Sequence, residues 1–225
     1  MSHYVIELSP GLICETIIIT PFEQNCRILW DKVTRKAVLI DPGAELDRIF
    51  SIIDLRRIEV EQIWITHGHI DHAGQATEAA ERLDVKIIGP HIADKALLSG
   101  LAEYAKKYAF FVDVRDCFPD VWLKAGDEVS VGKVAFTVMH LPGHSPGHVA
   151  FYSAEHNLLI SGDVLFQNSV GRTDLPFSNQ TELKHSIQTQ ILPLHDDVLV
   201  LSGHGPDFSL AEVRHSNPFL LRWAK

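Results

Sequence analysis

Three stretches near the start of the chain, Leu12 to Thr20, Cys26 to Trp30 and Ala37 to Asp41, are short apolar and β-branched runs separated by Pro21 and by the polar Lys32 to Lys36. Runs of this kind, bounded by turn residues, predict meandering strands. After Asp41-Pro42-Gly43 the period changes. Leu46, Ile49, Phe50 and Ile53 recur at helical spacing with Asp47, Arg48 and Asp54 between them, which predicts a helix packed by one face. The pattern then predicts a strand at Ile63 to Thr66, a helix at Gln75 to Leu83, a strand at Lys86 to Ile88 and a helical segment from His91 to Lys107. Phe111 to Trp122, with mixed charge, Cys117 and Pro119, reads as a loop joining two halves. Strand signals return at Glu128 to Val131, Val134 to Met139, Val149 to Tyr152 and Leu158 to Ser161, followed by a helix from Gln180 to Ile191 and a strand from Val198 to Ser202. This order suits an α/β arrangement in which two mixed sheets pack face to face with helices on both outer faces. No repeat or linker interrupts the 225 residues, so a single domain over residues 1–225 is expected.

Composition acts by exclusion. A chain with 46% hydrophobic and 22% charged residues has enough apolar material for a core, which removes disorder as a reading. A net charge of -9 repels phosphate backbones and anionic lipid, so neither nucleic acid nor a membrane surface is an expected partner. The longest apolar run, Tyr108 to Val112, is far short of the roughly 20 residues a spanning helix needs. The start, MSHYVIEL, lacks the basic and apolar regions of a secretory signal. Cys14, Cys26 and Cys117 form no CxxC pair and leave one over however they are matched, which suits the cytoplasm.

Histidine is over-represented, and its placement carries the chemistry. THGHIDH, Thr66 to His72, follows a predicted strand and precedes a predicted helix, packing His67, His69, Asp71 and His72 into six residues. Imidazole nitrogen and carboxylate oxygen suit zinc, iron or manganese. A catalytic zinc takes about three protein ligands and keeps a position open, so this cluster points to two ions. Three other predicted strands end in a glycine close to a His or Asp: His140-Leu-Pro-Gly-His144, Ser161-Gly162-Asp163 and Ser202-Gly203-His204. Glycine lets a strand turn sharply and approach a shared centre.

H-x-H-x-D-H followed by H-x-P-G-H-S-P-G-H, SGD and GHGP resembles the metallo-β-lactamase superfamily over nearly the whole chain, to about Phe208. Within it, GRTD (Gly171 to Asp174) and the overall length resemble the small bacterial type II glyoxalases, the hydroxyacylglutathione hydrolases. The resemblance implies a four-layer αββα sandwich and a two-ion site, zinc first, with iron or manganese as alternatives. It implies that His67, His69 and His144 bind one ion, that Asp71, His72 and His204 bind the other, and that Asp163 bridges them. Asp71 and Asp163 carry the catalytic assignment. The implied reaction is hydrolysis of S-D-lactoylglutathione or a related glutathione thioester by a metal-bridging hydroxide. Gln75 stands where a second glycine often follows Gly74, and Ser202 where proline is common. Only some twenty residues follow His204, so the C-terminal helical domain of the longer glyoxalases is not expected.

The rival reading is a persulfide dioxygenase of the same fold, with one iron held by His67, His144 and Asp163. The GRTDLP wording of the loop places the hydrolase ahead of it. His148 is expected as a donor behind the ligands and Asp41 as the group that orients a ligand histidine. His91, His140, His185 and His215 rank as surface or core histidines. Tyr104, Lys106, Lys107 and Arg115 are candidates to meet an anionic substrate, and Arg172 is expected to pair with Asp174.

Overall fold

A computed structural model of the chain describes residues 3–107 and 113–223. Tyr108 to Val112, and with it the start of the Phe111 to Trp122 loop, lies outside the described residues. The first sheet runs in chain order through β1 (His3–Ser9), β2 (Leu12–Ile19), β3 (Gln24–Asp31), β4 (Lys36–Ile40), β5 (Glu59–Trp64) and β6 (Lys86–Ile88). The first four strands are antiparallel, and β4, β5 and β6 are parallel. The second sheet is ordered β12-β11-β10-β9-β8-β7, built from β7 (Glu128–Val131), β8 (Val134–His140), β9 (Val149–Ser153), β10 (Leu158–Gly162), β11 (Leu199–Ser202) and β12 (Phe208–Ser209). Its one parallel pair is β10 with β11.

Strand alternation divides the interior into three apolar layers. In β3, Cys26, Ile28 and Trp30 pack outward against α1 (Leu46–Arg56) and its neighbours, while Leu29 points at the second sheet. In β10, Leu158 and Ile160 face the first sheet, and Leu159 faces α6 (Gln180–Ser186) with the π-helical turn that continues it through Ile191. Between the sheets Trp64 meets Phe136 edge-on at 5.6 Å and Phe151 at 4.8 Å. Burial on both faces explains why the central strands read as unbroken apolar runs. The four-layer expectation is met.

Several elements differ from the sequence reading. β1 was not expected, because as an edge strand its residues alternate only between half-buried and exposed. The helix expected from Gln75 to Leu83 is α3 (Ala76–Leu83), and a further short helix, α2 (Ile70–Ala73), precedes it within the THGHIDH segment. The segment from His91 to Lys107 is not continuous. A 3-10 turn at Ile92–Asp94 leads into α4 (Lys95–Leu98), and Ser99-Gly100 separates that from α5 (Leu101–Lys107). β12, α7 (Leu210–Ser216) and α8 (Pro218–Trp223) close the second outer face beyond the last expected element. Among the described residues no helix is long and apolar enough to cross a membrane.

Candidate metal centre

Ligand-type residues collect where strands of both sheets end. β5 runs into His67 and His69, α2 turns Asp71 and His72 inward, β10 runs into Asp163, β11 into His204, and the loop after β8 delivers His144. His69 Nδ1 lies 2.9 Å from His144 Nε2, and His144 Nε2 lies 3.5 Å from Asp163 Oδ2. His204 Nε2 is 3.3 Å from both Asp71 Oδ2 and Asp163 Oδ2, and His72 Nε2 is 3.3 Å from Asp163 Oδ1. The structure thus brings all seven candidates into one cleft. Three overlapping sets, His67/His69/His144, His67/His72/Asp163 and Asp71/His72/His204, each have ligand atoms within 4.8 Å of one another.

The outward-facing ring nitrogens fix the tautomers. His144 Nδ1 donates to the Arg172 carbonyl and His204 Nδ1 to the Phe22 carbonyl, each at 2.9 Å. His72 Nδ1 donates to Asp41 Oδ2 at 2.9 Å, and His67 Nδ1 to the Thr66 hydroxyl at 3.0 Å, which itself donates to Asp41. Each of these four rings therefore turns its Nε2 to the cleft, the atom that offers a lone pair once the ring is neutral and the usual way metal-binding imidazoles are oriented. Asp41 meets its expectation as an orienting group. It does so with φ at 53°, a strained backbone region for a non-glycine residue.

His67 Nε2 and Asp163 Oδ1 are buried and lack hydrogen-bond partners. An unpartnered buried acceptor costs about 1–3 kcal/mol, and a cation between them would satisfy both, so the donor set fits divalent metal. Burial opposes charge throughout, and the neighbours decide the outcome. Burial and the surrounding imidazoles push His67 well down and His69 to about 3. At His72 and His204 the carboxylates of Asp163 and Asp71 outweigh burial, raising His72 well above its ordinary value and His204 to about 10. Against burial, the same attraction holds Asp71 below, and Asp163 well below, the usual carboxylate range.

Close approach at this centre requires glycine. A Cβ on Gly203 would stand 2.1 Å from Asp163 Oδ1 and 2.8 Å from His72 Cε1.

Residues 19–204 match the Metallo-beta-lactamase superfamily. The chain belongs to this superfamily. Hydroxyacylglutathione hydrolase GloC of Haemophilus influenzae is 37% identical over 207 residues, which are 92% of this chain and 97% of that protein. The crystal structure of BLEG-1 B3 metallo-beta-lactamase is similar at a TM-score of 0.83 and 31% identity, with 92% of this chain and 99% of that one covered. TTHA1623 in a di-iron-bound form is similar at 0.81 and 33% identity, with 91% and 99% covered. The chain is a metallohydrolase of this superfamily, with His and Asp groups able to hold metal.

Other expectations divide. His148 is not a donor to the ligands: its Nε2 accepts from the Asp163 backbone N–H at 3.0 Å, and its ring stacks on His67 at 4.7 Å. His140 donates to the Pro146 carbonyl and stacks on His91, away from the ligand set. Arg172 pairs with Asp174 at 2.9 and 3.0 Å as expected. Tyr104 lines the cleft in front of the centre, whereas Lys106, Lys107 and Arg115 do not, and Arg115 is held by Glu81 at 2.6 Å. Sequence reasoning missed Asp94. Its buried carboxylate accepts from Gly68 N, Ser145 Oγ and Gly147 N, joining the His67/His69 loop to the His144 loop.

Proposed function

We propose that this protein hydrolyses hydroxyacylglutathione thioesters, with S-D-lactoylglutathione as the reference substrate, using two divalent ions, zinc first and iron or manganese as alternatives. The convergence of seven ligand-type side chains, with the outer nitrogens of four rings donating away from the centre, carries this reading. His67, His69 and His144 would hold one ion, Asp71, His72 and His204 the other, with Asp163 between them. When bound, the ions would supply Lewis acidity for the thioester carbonyl and a solvent nucleophile at neutral pH.

The chain's own residues supply the rest. The guanidinium of Arg172, in the lining of the cleft, is the group suited to a glutathione carboxylate. Walls from α2, α4 and α5 on one side and from the 166–177 segment on the other keep water from the bound acyl group. A thiol of pKa about 8.5 leaves without strong acid assistance, so the scarcity of an obvious general acid is no obstacle. Three unpaired buried cysteines support a cytoplasmic setting.

Zinc-loaded protein is expected to release free thiol from S-D-lactoylglutathione without oxygen uptake. Activity confined to iron-loaded protein, with oxygen consumed on glutathione persulfide, would replace this reading by the dioxygenase, because zinc has no accessible redox couple.

A further inference from the structure

The cleft in front of the centre has a volume near 820 Å³, within the range of small-molecule sites, and its walls are chemically lopsided. Ile70 of α2, Leu97 of α4 and Leu101 and Tyr104 of α5 form one wall, on which Asp71 of the metal centre is the one Asp, Glu, Lys or Arg among the described residues. The opposite wall brings Leu175 and Phe177. Among the described residues lining the cleft, Arg172 is the sole Lys or Arg, and Asp174 already holds it with two hydrogen bonds.

Phe177 adds a second, independent observation. The residue is 64% exposed and lines the cleft, and its backbone sits at φ 66°, a region that disfavours a bulky residue. An aromatic ring held in water by an unfavourable backbone calls for an apolar partner at that place. A lactoyl group offers one methyl and a hydroxyl, and it would leave most of this apolar surface wet.

We propose that the acyl group selected by this cleft is bulky and apolar, an aryl or branched-alkyl 2-hydroxyacyl group, in preference to lactoyl. This rests on the thioester reading above. The thiol portion carries the carboxylates and is left to Arg172 and the polar Gln167, Asn168 and Ser169 of the 166–177 wall, while the acyl portion lies against Ile70, Leu97, Leu101 and Phe177.

The test uses zinc-loaded protein and two pairs of ligands. S-D-mandeloylglutathione differs from S-D-lactoylglutathione by phenyl in place of methyl, and its kcat/KM is expected to be at least about tenfold higher, the scale on which apolar pockets discriminate. The uncleavable thioethers S-benzylglutathione and S-methylglutathione, compared by calorimetry, are expected to differ at least about tenfold in Kd in favour of benzyl. Phe177→Ser, at an exposed position, is expected to cut both preferences about threefold or more. Equal Kd values for the two thioethers, or a mandeloyl kcat/KM no higher than the lactoyl value, overturn the inference even where thioester turnover stands. Benzyl preference with neither thioester cleaved keeps the apolar selectivity of the cleft and removes the hydrolase reading instead.

Discussion

Asp94 lies outside the three candidate ligand sets, yet its two oxygens are shared among Gly68 N at 2.8 Å, Ser145 Oγ at 2.7 Å and Gly147 N at 2.5 Å. A carboxylate accepts all three bonds; an amide presents one acceptor and one donor, so one partner faces a clash of like groups. Asp94→Asn is therefore expected to lose about 1–3 kcal/mol of stability and to weaken metal retention, read together by thermal melts and by chelator competition. Wild-type retention would show that the clasp does not position the ligand loops. Asp163→Asn acts more directly. A neutral amide cannot offset two cations, so bound metal and thiol release should both fall by at least about tenfold, as elemental analysis and a thiol assay would show. The seven candidates were legible in the sequence because their motifs are local and chemically unusual. Asp94 and the Phe22 carbonyl were not, since each acts through contacts that exist only once distant segments meet.

Elements place these residues by ending where they do. β4, β5, β10 and β11 all finish at the same edge, where Asp41, Thr66, Asp163 and His204 follow within a few residues. Gly162 turns β10 toward the centre at φ 50°, and Gly203 lets β11 pass against Asp163. Gly203→Ala would force a methyl to 2.1 Å from Asp163 Oδ1, so the expected result is loss of bound metal with far-ultraviolet dichroism unchanged. Retained metal stoichiometry in that variant would mean the strand end can shift. The buried central strands were readable because burial on both faces leaves long apolar runs. The edge strand β1 and the break at Ser99-Gly100 were not, because partial exposure blurs alternation and one helical period spans both α4 and α5.

At the scale of the whole molecule, the centre sits on the seam between the sheets, and polar ties hold that seam. Arg27 of β3 is buried, and its guanidinium reaches Thr16 Oγ1 at 2.8 Å, the Ser202 carbonyl at 2.8 Å and Asp207 Oδ1 at 2.6 Å. Asp207→Ala would strand that charge, a loss of about 3–5 kcal/mol, which for a chain of this size lowers Tm by roughly 6–20 °C. An unchanged melting temperature would remove the tie from the account of how the sheets are held. The same seam couples metal to protons. With protein charges alone, Asp163 and Asp71 hold His204 at about 10, so this ring carries its second proton at pH 7, and they raise His72 well above its ordinary value. A raised folded value means the proton is favoured below that value and given up above it. Metal needs the lone pair that the proton occupies, so binding must expel it, and affinity must rise with pH up to about 10 at the His204 position. Adding zinc to chelator-stripped protein at pH 7 is therefore expected to release roughly one to two protons per chain, measured by calorimetry in buffers of different ionisation enthalpy. Buffer-independent heats would show that the rings face the ion already neutral, and that the carboxylates do not hold protons in this seam.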